Sequence, residues 1–195
     1  MANRYAVQDG DWSEAATWDG GTLPAVGDTV RPNNYTVTID IDVTVDAIRS
    51  DASAPASATG NFVVNDGVTV NVTTEIVSGN NVADSLFIPA SGGEINIICP
   101  LICGECFQTP TGTTTNVTGN GDTVGSNNSG SIFKMSGGTM NWNGNLNTTT
   151  GGWISDLILG GTLNITGNCS GSGKGFWVRG AASVNITGNC SVEEL

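Results

Sequence analysis

The sequence predicts an all-β fold of the β-solenoid type, on three observations. First, a short segment keeps returning. Gly160-Gly161-Thr162-Leu163-Asn164-Ile165-Thr166-Gly167-Asn168-Cys169 reappears as Ala181-Ala182-Ser183-Val184-Asn185-Ile186-Thr187-Gly188-Asn189-Cys190. A looser copy starts at Gly137 and a fainter one at Gly92. An asparagine between two apolar residues marks the period. Asn141 to Asn164 is 23 residues and Asn164 to Asn185 is 21; Asn116 divides the 45 residues from Asn96 to Asn141 into 20 and 25, and Asn71 lies 25 before Asn96. Second, charged residues make up only 12 %, against roughly a quarter of an average soluble domain. Gly, Asn, Thr and Ser take their place, a mix that suits strands and tight turns. Third, no long stretch carries apolar residues at i, i+3, i+4 and i+7. A repeat of this length without a helical period indicates stacked coils. Each coil cannot bury its apolar face alone and needs its neighbours. Leu163 and Ile165 are then inward and Asn164 outward, because side chains alternate along a strand.

In chain order, residues 1–50 read as a separate N-terminal segment and residues 51–195 as the coils. Asp11-Trp12 and Thr17-Trp18 place two tryptophans six residues apart, followed by Gly20-Gly21, Leu23-Pro24 and Gly27-Asp28. Two alternating strands follow, Tyr35–Ile39 and Val43–Val45. Trp12 and Trp18 read as a cover over the open end of the solenoid, since terminal repeats must hide apolar surface and free strand edges. A sugar-stacking or docking surface is the competing reading. Asp51 to Asn61 reads as a loop. Phe62-Val63-Val64 with Val68–Val72, Leu86-Phe87-Ile88 with Ile95-Asn96-Ile97, and the segments at Ile132–Met135, Leu157–Leu159 and Phe176–Val178 each give strand, glycine bend, strand. Thr73–Asp84 reads as a return. Thr109–Gly130, with only Val117 and Val124 apolar, reads as an irregular, weakly packed excursion.

The order Trp12, Trp18, Gly20-Gly21, Pro24, Gly27-Asp28, Val30, then Val37-Thr38-Ile39-Asp40, resembles the N-terminal segment of many bacteriophage virion proteins. It is also similar to the opening of G8-type domains, which precede parallel β-helices in surface proteins. The resemblance covers the first quarter of the chain and carries over no catalytic residue. It implies a single-stranded right-handed parallel β-helix with an N-terminal capping segment, with Trp12, Trp18, Pro24, Gly27 and Asp28 as the capping or docking residues.

The totals restrict the chemistry. A net charge of −12, with 14 of the 18 acidic residues at or before Glu105, repels phosphate backbones and argues against nucleic acid as a partner. No run of about 18 apolar residues is present, so no membrane span is expected, and no secretory signal is visible at Met1–Tyr5. The absence of histidine removes imidazole triads and imidazole metal sites. Cys99, Cys103 and Cys106 superficially match a cluster-binding spacing, but no helix–strand alternation supports a barrel and no fourth zinc ligand stands nearby. They read as inward-facing thiols, with a local disulfide as an alternative. Cys169 and Cys190 share a coil position with Leu146, and Leu101 fits it by its distance from Asn96, so these read as stacked core residues. Gly171-Ser172-Gly173-Lys174-Gly175 departs from a phosphate loop in its glycine spacing and in Gly175, and reads as a corner. Asp40, Asp42 and Asp46 share a face by period two, and a solvated face is preferred over a glycosidase pair.

The expectation is a non-enzymatic virion structural protein of a bacteriophage, of capsid-decoration or head-fibre type, without cofactor or bound metal. Its partners would be the major capsid or tail proteins and two further copies in a homotrimer. The alternative is a carbohydrate-binding or depolymerising tailspike or surface-adhesion module, with host-surface glycan as partner and Trp142, Trp153 and Trp177 as an outward stacking ledge. Alternation places Trp142 at the position of Ile165 and Ile186, which favours the core for that residue.

Overall fold

The computed structural model describes residues 2–50, 60–78, 86–104, 106–123, 131–148 and 152–192. The loop expected over Asp51–Asn61, the later part of the Thr73–Asp84 return and Val124–Gly130 therefore lie wholly or largely outside the described residues.

The chain is a parallel β-solenoid. Each coil gives one short strand to a first sheet and one longer strand to a second. The short strands are β2 (Gly10–Asp11), β4 (Thr36–Ile39), β6 (Asn61–Val64), β8 (Phe87–Pro89), β10 (Phe107–Thr109), β12 (Phe133–Met135), β15 (Trp153–Ile158) and β18 (Lys174–Val178), hydrogen-bonded in that order. The long sheet runs through β1 (Asn3–Tyr5), β3 (Thr29–Arg31), β5 (Val43–Arg49), β7 (Thr69–Val77), β9 (Glu94–Cys103), β11 (Thr114–Asp122), β13 (Thr139–Asn143), β16 (Gly161–Thr166) and β19 (Ala182–Thr187). Three short strands, β14 (Leu146–Thr148), β17 (Cys169–Gly171) and β20 (Cys190–Ser191), continue alongside it. Strand pairing joins β5 to both β3 and β7, so residues on both sides of position 50 share the same two sheets.

The returning asparagines lie above one another. Asn96, Asn116, Asn141, Asn164 and Asn185 are consecutive register partners. Each later amide donates to the one before: Asn116 to Asn96 at 3.0 Å, Asn141 to Asn116 at 2.8 Å, Asn164 to Asn141 at 2.8 Å and Asn185 to Asn164 at 2.9 Å. Asn71 departs from the expected column. It faces Ile98, and Thr69 faces Asn96. The coil there is two residues longer than the spacing of asparagines suggests, and a shift of two preserves which face is inward.

The core is filled by the alternate residues. Leu163 and Ile165 are buried. Phe62, Phe87, Phe107 and Phe133 occupy one register column of the short sheet. Phe62 stacks on Phe87 at 5.6 Å between centroids and Phe87 on Phe107 at 5.7 Å. Trp142 meets Phe107 edge-on at 5.8 Å. It fits because Gly121 leaves the space: a Cβ there would lie 3.0 Å from the indole and 2.7 Å from Leu146.

The excursion expected over Thr109–Gly130 is corrected for its described part. Thr114–Asp122 is a strand paired with β9 and β13, with a register shift between Thr118 and Asn120. Its inward positions are Thr115, Val117 and Gly121, and Thr109 and Thr115 join their buried hydroxyls at 3.2 Å. Threonines that satisfy one another inside the core replace the apolar residues whose absence suggests a loop.

Glycine has two different tasks. Gly67, Gly92 and Gly112 sit at β-turns between the sheets with φ of 76°, 76° and 80° and no neighbour near a Cβ. Only the positive φ selects glycine there. Gly119, Gly144, Gly167 and Gly188 form a column at the Gly-Asn turn with φ between 148° and 152°. A Cβ on Gly144, Gly167 or Gly188 would lie 2.0–2.2 Å from the carbonyl oxygen of the glycine one coil earlier. Coil-to-coil contact itself excludes a side chain at those sites.

Candidate functional site

At the N-terminal end, Trp12 and Trp18 are both buried and meet edge-on at 4.9 Å. The Trp18 Nε1–H donates to the Trp12 carbonyl at 2.9 Å, and Trp12 packs on Phe62 at 5.9 Å. Neither indole offers a face to a sugar. Asp28 accepts from the backbone N–H of Ala2 and of Ala25, both at 3.2 Å, and from Arg4 Nε at 3.3 Å. Burial pushes its pKa up, but the Ala25 and Ala2 N–H groups and the Arg4 guanidinium outweigh that and hold the carboxyl below its ordinary value. Gly27 takes φ of 91° and Pro24 is half-buried. The loop these residues hold projects Leu23 and Val26; Val26 is 73 % exposed.

The three carboxylates singled out as sharing a face are separately engaged. Asp40 accepts from Ser13 N–H at 3.0 Å and Ser13 Oγ at 2.6 Å. Asp42 accepts from Thr69 N–H at 2.8 Å. Asp46 accepts from the hydroxyls of Thr74 and Thr73 at 2.7 and 2.9 Å, which lower its pKa. Asp40 and Asp42 lie at the corner between β4 and β5, outside any strand, so period-two alternation does not apply to them. Their work is joining coils.

The cysteines separate into two places. Cys99 and Cys106 are buried, and Cys99 Sγ reaches the Leu101 carbonyl at 3.0 Å. Among the described residues no group of three His, Cys, Asp or Glu side chains is placed to hold a metal; the Cys103 side chain lies outside them. Leu146, Cys169 and Cys190 stack in register, as their repeat position implies. Leu101 does not join them. A register shift between Thr118 and Asn120 brings Ile102 into that column beside Gly121, and Leu101 is exposed. Burial pushes the Cys169 thiol up to about 12, with the adjacent Cys190 thiol adding to the shift. The Gly171–Gly175 segment joins β17 to β18 as a corner between sheets.

Of the expected tryptophan ledge, Trp142 is a core residue, 1 % exposed, with its indole N–H on the Gly119 carbonyl at 2.9 Å. Trp153 and Trp177 do come together on the outside of the short sheet, their rings near-parallel with centroids 5.9 Å apart. Trp177 is 45 % exposed, as are Leu159 and Val178 to a similar degree. Two cations accompany them. Lys174 Nζ lies 4.7 Å from the Trp153 centroid, and the Arg179 guanidinium lies 4.0 Å from that of Trp177. The cations were missed as site residues, although Lys174 and Arg179 bracket Trp177 in sequence.

Among the described residues, the outer face of the long sheet carries open depressions, of which two stand out. One of about 210 Å³ is lined by Asn116, Asn141, Asn143, Asn164 and Thr166; a larger one of about 500 Å³ is lined by Asn71, Thr73, Ile98, Pro100 and Asn120. Neither contains a carboxylate, so neither offers the acid pair that glycoside cleavage uses. Comparison with protein-family models, with curated proteins and with solved structures finds no match to this chain. Among the described residues no helix is long and apolar enough to cross a membrane.

Proposed function

We propose that the chain is a non-enzymatic structural protein of a bacteriophage virion, of capsid-decoration or head-fibre type, assembled as a homotrimer. The observation that carries this reading is the continuous two-sheet stacking from Asn3 to Ser191. The corner carboxylates and amides of this rod tie one coil to the next and perform no chemistry. The opening residues that resemble virion proteins are built into its first two coils. The exposed Leu23 and Val26 loop beside them is a suitable docking knob for a capsid or tail partner. The test is quantitative mass spectrometry of purified particles of the phage that encodes the chain, with size-exclusion chromatography and light scattering on the recombinant protein. Stoichiometric presence in particles supports the reading, and L23S/V26D is expected to abolish incorporation without changing the circular dichroism. Absence from particles overturns the virion assignment, and a stable monomer overturns the trimer.

A second reading, adhesion to a carbohydrate, is favoured by one feature: the outward Trp153–Trp177 pair. An exposed tryptophan beside exposed Leu159 and Val178 is an apolar patch of the kind that marks contact surfaces.

A further inference from the structure

We propose that the patch formed by Trp153, Trp177, Lys174 and Arg179 is a binding site for an acidic carbohydrate, one bearing carboxylates or sulfate esters. This rests on the adhesion reading and specifies its ligand.

Three observations support it. The first is where the cations are. Only six residues of the chain are Lys or Arg, and two of them lie on this tryptophan pair. The second is the charge around them. Up to Glu105 the chain has fourteen acids against Arg4, Arg31 and Arg49; beyond it there are four acids against Lys134, Lys174 and Arg179. Most of the acidic field that would repel an anion belongs to the first half; the patch lies in β15, which also carries Asp156, and in and just after β18, at the far end of the short sheet. The third is the geometry. A guanidinium 4.0 Å from an indole centroid occupies one face of the ring, so the Trp177 surface is not a bare platform for a neutral sugar. The indole holds the guanidinium in place, and its N–H fork remains suited to a planar anion. The exposed edge of Trp177, with Leu159 and Val178, then offers apolar area to the same sugar ring. A ligand that satisfies both is an amphipathic anion, which an acidic sugar is and a free inorganic anion is not.

The experiment is a titration of the full chain, followed by intrinsic tryptophan fluorescence and calorimetry. The ligands are polygalacturonate, chondroitin sulfate and neutral dextran, each at low and high salt. Expected is binding of one or both acidic polymers, weakened by salt, with dextran inactive. R179Q is expected to reduce that affinity about tenfold or more, the loss of one charged hydrogen-bonding group, with R179K recovering only part of it. Polygalacturonate against chondroitin sulfate distinguishes carboxylate from sulfate recognition. Equal binding of dextran, or an R179Q variant that binds as wild type does, overturns the acidic-ligand inference and leaves adhesion standing. Binding to none of the three polymers, with a glycan array also blank, overturns both.

Discussion

The two halves of the solenoid solve one problem with different side chains. At several corners a side chain of one coil accepts a backbone N–H of the next. In the first half the acceptor is aspartate: Asp9 takes Thr36 N–H, Asp42 takes Thr69 N–H and Asp66 takes Glu94 N–H, each at 2.8 Å. In the second half it is asparagine: Asn120 takes Asn145 N–H, Asn145 takes Asn168 N–H and Asn168 takes Asn189 N–H, each at 3.0 Å. Aspartate partners lie 27–28 residues apart and asparagine partners 25, 23 and 21, with a 20-residue coil from Asn96 to Asn116 between the two groups. Carboxylate accepts more strongly than amide, but it cannot stack on itself. Among the described strand pairings no acid faces another. An amide both accepts and donates, so it can occupy the same position in every coil. The shorter, more regular coils are the ones that adopt it.

Four experiments would break or sharpen this contrast. The largest effect is expected at the glycines. Gly167→Ala places a Cβ 2.1 Å from the Gly144 carbonyl oxygen, and we expect a loss of about 3 kcal/mol from clash and backbone strain. Gly67→Ala meets no neighbour within 4 Å and should cost about 1 kcal/mol from its φ alone. Equal losses in denaturant titrations would show that packing does not distinguish the two columns. Next are the isosteric swaps. Asn164→Asp removes the donor to Asn141 while the amide of Asn185 still points at it, and should cost about 1–3 kcal/mol at pH 7. Asp66→Asn keeps the acceptor that Glu94 N–H needs and should cost less than about 1 kcal/mol.

Acid provides the third experiment. Asp28 and Asp46 both have folded pKa values below the ordinary 3.8. Their contribution to stability is therefore full above about pH 3.8 and is lost as pH falls through the lower folded values. Hydrogen exchange below pH 3.8 should open β1–β7 before β13–β19; simultaneous opening would count against an acid-sensitive first half. The smallest effect is chemical and leaves the fold intact. Alkylation at pH 8 should modify exposed Cys190 and spare Cys169, whose thiol is buried and titrates at about 12. Equal labelling in native protein would contradict the burial.

The second half was far more legible in the sequence than the first, for the same reason. Repeated asparagine between apolar residues is visible because one residue type recurs at one position, and four of the five spacings it marks are true coil partners. Aspartate acceptors recur without a fixed flanking pattern, and no sequence rule revealed that they join coils. Asn71 was misplaced by a two-residue change of register, which leaves inward and outward parity intact and no trace in the hydropathy; Leu101 was misplaced by a one-residue shift, which turns it outward and puts Ile102 in the core. Thr115 was unreadable as core because its satisfaction depends on Thr109, a partner that only folding brings near. In the candidate site, Trp153, Trp177 and Trp142 were proposed together by type, with alternation favouring the core for Trp142, and the structure keeps only the first two on the surface. Lys174 and Arg179 were not found, because a cation beside a tryptophan acquires meaning only when both project from the same surface.

The asparagine column has one more property. In all four links the later amide is the donor and the earlier one the acceptor, so the amide dipoles lie head to tail and polarise one another. The rod thus has an electrical direction, set by uncharged groups that do not titrate. Any neighbour laid along it meets a different partial charge at each end, which makes parallel and antiparallel alignment energetically unequal.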